Sequence, residues 1–426
     1  MCALSFEKFT HQAEPFAQGL LDAVYAMSKD PVAGVSRQGY SALETKVLAC
    51  LTDRVAALKL EVEQDPAGNV WLTLPGRNRS MPAIVSGSHV DSVPQGGHYD
   101  GLAGVVAALT VAKILRDEGV TLERDYRVLM LRSEESSFFG KAYAGSLAMM
   151  GRLTAEGLAL KHRSENRTLG DFMRAAGVDT EKVTSGSPLV DISRIGSFIE
   201  LHIEQGPMLD GLLPARTGVV TGIRGNIRHK CVRCLGETAH SGAVNKEFRH
   251  DAVMATAALI SRCEEQWQRY LDAGKDLVFT VGVLNTSPSA AIAVIPGQTA
   301  FSVDIRSLDD ETCREFHEML LGIAAEEEAR RGVKFEFDSV IVSPAGRVNE
   351  ALSDLVFKAA QDAGVPCVRI PSGAGHDTAV LSRAGIASAM IFIANQHGSH
   401  NPHEAMEMKD LMLGTYVLLN AVRAQG

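Results

Sequence analysis

Residues 82–115 read PAIVSGSHVDSVPQGGHYDGLAGVVAALTVAKIL. Pro82 to Gly87 is a short apolar run of the kind that forms a buried strand, and Leu102 to Leu115 is apolar over a length that suits a helix. Between them lie His89, Asp91, His98 and Asp100. The same alternation continues through the first 212 residues: Tyr126 to Leu131 reads as the next strand, and Ser197 to His202 as another. Strands separated by helices imply an α/β domain with a mostly parallel sheet and helices on both faces.

From about residue 213 the texture changes. Val219 to Leu235, Leu277 to Leu284 and Val333 to Val342 carry strand patterns, Val294 to Ile305 contains a strand after the Pro296-Gly297 turn, and Asp251 to Leu271 and Asp309 to Arg331 carry helical patterns. A few strands and two helices suggest a compact α+β domain with a small sheet. After about 343 the larger pattern resumes, with a helix over Val348 to Ala363 and a strand over Ala387 to Ala394. The expected organisation is a larger domain of residues 1–212 and 344–426, interrupted by a smaller inserted domain of residues 213–343.

The chain has 426 residues, 46% of them hydrophobic and 22% charged, with a formal charge of −9. Those proportions describe a soluble globular protein. A mild negative balance without a basic patch argues against nucleic-acid binding. No run of about 18 apolar residues marks a membrane span. The first residues, MCALSFEKFTHQAEPFAQGL, lack the basic and apolar regions of a secretory signal. With seven cysteines in no regular framework, a cytoplasmic location with reduced thiols is expected. Cys231 and Cys234 form a CxxC, but no second pair lies at the spacing of a structural zinc site.

Five segments concentrate His, Asp and Glu in or just after strand-like runs: Ser86–Asp91, Gly96–Gly101, Arg132–Glu135, Glu200–Pro207 and Gly398–Glu404. Open α/β sheets build their sites at the carboxyl ends of strands. Imidazole and carboxylate suit a borderline divalent cation such as zinc, manganese or cobalt. Converging, they would hold two metals sharing one carboxylate, the equipment of a hydrolase that activates water. His89 and Asp91 alternate, so they face one side, where Asp91 can orient a metal-bound His89. Asp100 stands at a helix start, either as a plain N-cap or as a bridging ligand. Glu134 and Glu135 should diverge, one toward metal and the other over the reacting water. His202 and His400 complete the candidates, the ordinary alternatives being a buried core histidine and a solvated loop.

Together the stretches GSHVDSVPQGGHYDGLAGV, EE, ELHIEQGP, GETAHSGA, VIPG with DIRS, SGAGHD and GSHNPHE resemble the M20 metallopeptidase family, in particular its hydantoinase/carbamoylase amidase branch. The resemblance runs from about residue 87 to 404. It implies an amidohydrolase acting on N-carbamoyl-L-amino acids or ureides such as allantoate, with two divalent ions (Zn, Mn, Co or Ni). His89 and His202 would bind one ion, Glu135 and His400 the other, with Asp100 between them. Asp91 would orient His89, and Glu134 would serve as general base. His240 would reach the active site of a partner subunit and stabilise an oxyanion, in a homodimer joined through the inserted dimerisation (lid) domain. Arg306 would grip a substrate carboxylate, and Gln205 and His376 would contact substrate. Gly375 would let backbone approach the ligand.

Two positions depart from the family pattern. Ala293 stands where an Asn is usual, and Ser136-Ser137-Phe138-Phe139-Gly140 replaces Gly-x-Arg-Phe. Both losses remove groups able to read a carbamoyl or ureido head. An aminoacylase or dipeptidase using the same metals is the second reading, since the chemistry of an amide and a ureide is alike. His202 speaks for the amidase branch, because many peptidase relatives carry a carboxylate there. A non-catalytic sensor on the same fold is the third, and the intact Glu134 argues against it.

Overall fold

The computed structural model describes residues 4–211 and 215–426. In chain order the strands are β1 (Glu61–Gln64), β2 (Val70–Leu74), β3 (Ala83–His89), β4 (Tyr126–Leu131), β5 (Ile195–Ile203), β6 (Thr217–Ile223), β7 (Gly225–Leu235), β8 (Ala239–His240), β9 (Val278–Thr280), β10 (Leu284–Thr286), β11 (Val294–Ile295), β12 (Gln298–Ser307), β13 (Lys334–Glu336), β14 (Ile341–Ser343), β15 (Cys367–Ser372) and β16 (Ser388–Ile393). The chain divides into two compact units, Met1–Thr221 with Arg347–Gly426, and Gly222–Gly346.

The first unit is built on an eight-stranded sheet of order β1-β2-β4-β3-β5-β16-β6-β15. Its centre, β4-β3-β5-β16, is parallel, whereas β1, β2 and β6 join by antiparallel pairing. The strand alternation sends residues to two cores. Ile84, Val128, Met130, Ile199 and Leu201 belong to one core with the helices Phe6–Ser28, Leu102–Asp117 and Met408–Gln425. Val85, Leu129, Leu131 and Phe198 belong to the other with the helices Ala144–Met149 and Leu169–Ala175. A sheet covered on both faces buries every residue of β3, which is why that strand reads as a continuous apolar run.

The second unit carries a six-stranded antiparallel sheet of order β10-β12-β7-β13, with β14 added to β7 and β9 to β12. Exposure alternates residue by residue along β12. Its inward side, Phe301, Val303 and Ile305, packs with Leu259, Phe316 and Leu320 of the helices Ala252–Asp272 and Asp310–Arg331. Asp251 and Asp309 cap those helices by accepting backbone N–H bonds from Met254 and Thr312. The stretch Val219 to Leu235, read as one strand, is two that join different sheets, because the chain turns at Arg224 between β6 and β7. Leu277 to Leu284 and Val333 to Val342 are likewise each split, since turns that break the ladder leave little trace in hydrophobic periodicity, whereas the strand expected after the Pro296-Gly297 turn is β12.

Candidate metal centre

The four central parallel strands end on the same edge of the sheet, and each delivers donors there. His89 closes β3 and His202 lies at the end of β5. Glu134 and Glu135 follow β4 after Arg132 and Ser133, and His400 lies in the loop after β16. Asp100 sits in the turn leading to the helix Leu102–Asp117, but it is not the cap. Gly101 holds that place without a side-chain bond, at φ +65°. A Cβ on Gly101 would stand 2.4 Å from the His89 ring, so both backbone and space demand glycine. The Asp100 carboxylate is thereby released toward the histidines.

One oxygen of Asp100, Oδ1, lies 3.3 Å from His89 Nε2 and 3.1 Å from His202 Nε2. Its other oxygen, Oδ2, lies 3.5 Å from His400 Nε2, which is itself 3.2 Å from Glu135 Oε1. Two three-donor groups able to hold a metal ion, His89–Asp100–His202 and Asp100–Glu135–His400, thus share Asp100. Both histidines turn Nε2 toward Asp100 and are held at Nδ1 by other groups. His202 Nδ1 donates to the Ile203 carbonyl at 2.8 Å and its Nε2 accepts from Gly101 N–H. His89 Nδ1 faces both the carbonyl and the carboxylate of Asp91, so the ring presents Nε2 to Asp100.

Asp91 does more than orient one ring. Its Oδ1 accepts the Glu134 N–H at 2.9 Å and its Oδ2 the Glu135 N–H at 3.0 Å. Glu404 accepts N–H bonds from Tyr99 and Asp100 and the Ser399 hydroxyl, which also reaches Asp100. Asp91, Asp100, Glu134, Glu135 and Glu404 are all buried. Burial, then the neighbouring carboxylates Glu135, Asp377 and Asp91, push the Glu134 carboxyl well above the usual range. Burial works on His89 in the opposite sense, but Asp100 and Asp91 outweigh it and favour the imidazolium. So many buried acids around two imidazole sets are stable with positive charge among them. The donor chemistry therefore fits a pair of divalent cations.

Ser133, Gln205, His397 and His400 all have φ between +51° and +64°. Such conformations cost about 1–3 kcal/mol each and persist where surrounding structure over-determines them. Gln205 is held by its N–H to Asn395, and its side-chain amide donates to Asp100 Oδ2 at 2.7 Å. His376 packs edge-on against His202, with ring centroids 4.6 Å apart, and its Nε2 meets Ser372 Oγ at 2.9 Å. Burial and then the nearby His202 keep this imidazole neutral. The open face of Gly375 meets the Tyr143 hydroxyl, which would be 1.7 Å from a Cβ there.

His240 and Arg306 belong to the second unit. His240 is exposed on β8, opposite Val294 of β11, and its Nδ1 accepts the Gly242 N–H. Arg306 is half-buried on β12 and bonds Asp304 at 2.7 Å. Sequence reasoning gave no role to Glu404 or Arg132, although both lie in quoted stretches, and it passed over Arg37 and Glu44 entirely. An isolated charge in an N-terminal segment carries no local signal of being buried.

Residues 85–424 match the model of peptidase family M20/M25/M40. The chain belongs to that family. It is 31% identical over 414 residues to the N-carbamoyl-L-amino acid amidohydrolase of Geobacillus stearothermophilus, covering 96% of this chain and 98% of the relative. To the allantoate amidohydrolase of Bacillus subtilis it is 30% identical, covering 93% of each. A crystal structure of a hydantoinase/carbamoylase family amidase from Burkholderia multivorans superposes with a TM-score of 0.87 at 27% identity, covering 97% of each chain. The protein is accordingly an amidohydrolase, an enzyme of non-peptide C–N bond hydrolysis. Among the described residues no helix is long and apolar enough to cross a membrane.

Proposed function

We propose that this enzyme cleaves a linear amide or ureide C–N bond of an N-carbamoyl-L-amino acid or a related N-substituted amino acid, allantoate-like ureides included. The observation that carries the reading is Asp100, shared between two donor groups whose members are buried except for the exposed His400. His89, Asp100 and His202 would hold one divalent cation, and Asp100, Glu135 and His400 a second, with zinc, manganese, cobalt and nickel all suited. Such a pair polarises a carbonyl and acidifies water.

The remaining work falls to side chains. Glu134 takes a proton from the attacking water and passes it to the departing nitrogen, a task that suits a carboxyl of raised proton affinity. Asp91 fixes the His89 ring and the backbone of both glutamates. Neutral His376 and Gln205 line the substrate side, and Arg306 grips the substrate carboxylate through its planar fork. His240, supplied by the second subunit of a homodimer joined through the inserted domain, stabilises the developing oxyanion. The enzyme would act in the cytoplasm, where its six described cysteines, which form no disulfide, stay reduced.

A second reading, an aminoacylase or dipeptidase, gains support from residues 136–139. Phe139 is buried with its ring 5.4 Å from both His162 and Phe172, so that residue feeds the core, and the stretch carries no arginine for a ureido head. A hydrolysis panel on chelator-stripped enzyme, with Mn, Co or Zn restored, separates the two. Metal-dependent ammonia release from N-carbamoyl-L-amino acids or allantoate is the expected result. Turnover confined to N-acyl amino acids or dipeptides would overturn it in favour of the second reading.

A further inference from the structure

Arg37 is wholly buried, on the segment between the helices Phe6–Ser28 and Ala42–Arg54. Its Nε donates to the Val90 carbonyl at 2.8 Å and its backbone N–H to Ser92 Oγ at 2.9 Å. Those two residues flank Asp91. Its Nη1 reaches Ser28 Oγ at 3.2 Å, while Nη2 is buried with no hydrogen-bond partner. A buried guanidinium with an unpaired nitrogen is costly unless its charge is used. The charges that act on it most are Asp91, Glu404 and Asp100. Burial draws Arg37 down to about 10, which still leaves it a full cation at neutral pH.

The neighbouring residues repeat the design. Val35 forms a bridge with Gly96, just before Asp100. Glu44 accepts the Tyr40 and Ser133 N–H groups and pairs with the buried Arg132 at 2.7 Å. Residues 35–44 thus touch all three turns that carry Asp91, Asp100 and the glutamate pair.

We propose that Arg37 is a positioning residue of the metal centre, holding the Asp91 turn through its Nε–H bond to the Val90 carbonyl and offsetting the buried carboxylates by its charge. Asp91 then transmits the hold to His89, Glu134 and Glu135. Removing partners that orient metal ligands typically weakens metal binding about 10–100-fold, and the same is expected of Arg37→Met.

The inference rests on the two-metal reading, and one titration distinguishes them. Mn or Zn binding to chelator-stripped, full-length protein is measured by calorimetry for wild type, Arg37→Met and Arg37→Lys, beside circular dichroism and metal-free Tm. Arg37→Met should bind about 10–100-fold more weakly with its fold intact, and Arg37→Lys, which keeps the charge, should recover part of the loss. Wild-type affinity in folded Arg37→Met overturns the proposal. Should Arg37→Met not fold, Arg37→Gln, which likewise lacks the charge, decides, and wild-type affinity there overturns it equally. Failure of both to fold would assign Arg37 to the fold alone and also overturn it. Wild-type protein that binds no metal would sink the metal reading itself.

Discussion

The two units present their candidate residues in opposite ways. In the first, His89, Asp91, Asp100, Glu134, Glu135 and His202 are buried, and hydrogen bonds from named backbone groups fix most of them. In the second, His240 is exposed and Arg306 half-buried on an antiparallel sheet. Groups that must keep sub-ångström relations gain from burial, because neighbours remove their freedom in advance. Groups that meet a substrate or a partner subunit must remain reachable. Most of the candidate metal ligands are thus shielded from solvent, with His400 the exposed exception, while the candidates of the second unit are not.

The largest effect expected from this contrast is at Glu134. Glu134→Gln should lower kcat by about 10²–10⁴-fold with metal content unchanged, as read by elemental analysis beside steady-state rates. Near-full turnover on a confirmed substrate would remove Glu134 as the base. Next comes His240, whose loss should cost about 10²–10³-fold. Because the proposed role is across subunits, mixing His240→Ala with Glu134→Gln subunits should restore activity in hybrid dimers. Verified heterodimers that stay inactive would confine each site to one chain.

The smallest effect concerns stability in the first unit. Burial, and then Glu200, raise Asp377 to about 7, and its Oδ2 is buried without a partner. The unfolded carboxyl ionises near 3.8, so folding is penalised progressively as pH rises from there and fully above 7. Asp377→Asn should therefore raise Tm at pH 8 by a few degrees, on the order of 1–2 kcal/mol, with little change at pH 4. An equal shift at both pH values would point to altered packing instead.

Much of this was legible in the chain. β4 spans the residues expected of it, and β3, β5 and β16 differ from expectation only at their ends, because an apolar run of strand length is a local property. The seven quoted stretches were enough to place the protein in its family. Less legible were the antiparallel additions of β1, β2 and β6, which depend on partners distant in sequence. The fate of Ser136–Gly140 was equally hidden, since whether Phe139 meets substrate or core is settled by His162 and Phe172.

From the order of its residues alone, the chain specifies which donors it owns and that they follow strand-like segments, since residue type and periodicity are written locally. Tertiary structure decided that they meet. β4, β3, β5 and β16 are neighbours in the sheet but far apart in sequence, and their parallel alignment is what brings four separate turns to one edge. Arg37, Glu44 and Glu404 acquire their places in the same way. A charge becomes a structural element when burial takes its water away, and no stretch of sequence shows which charges will lose it.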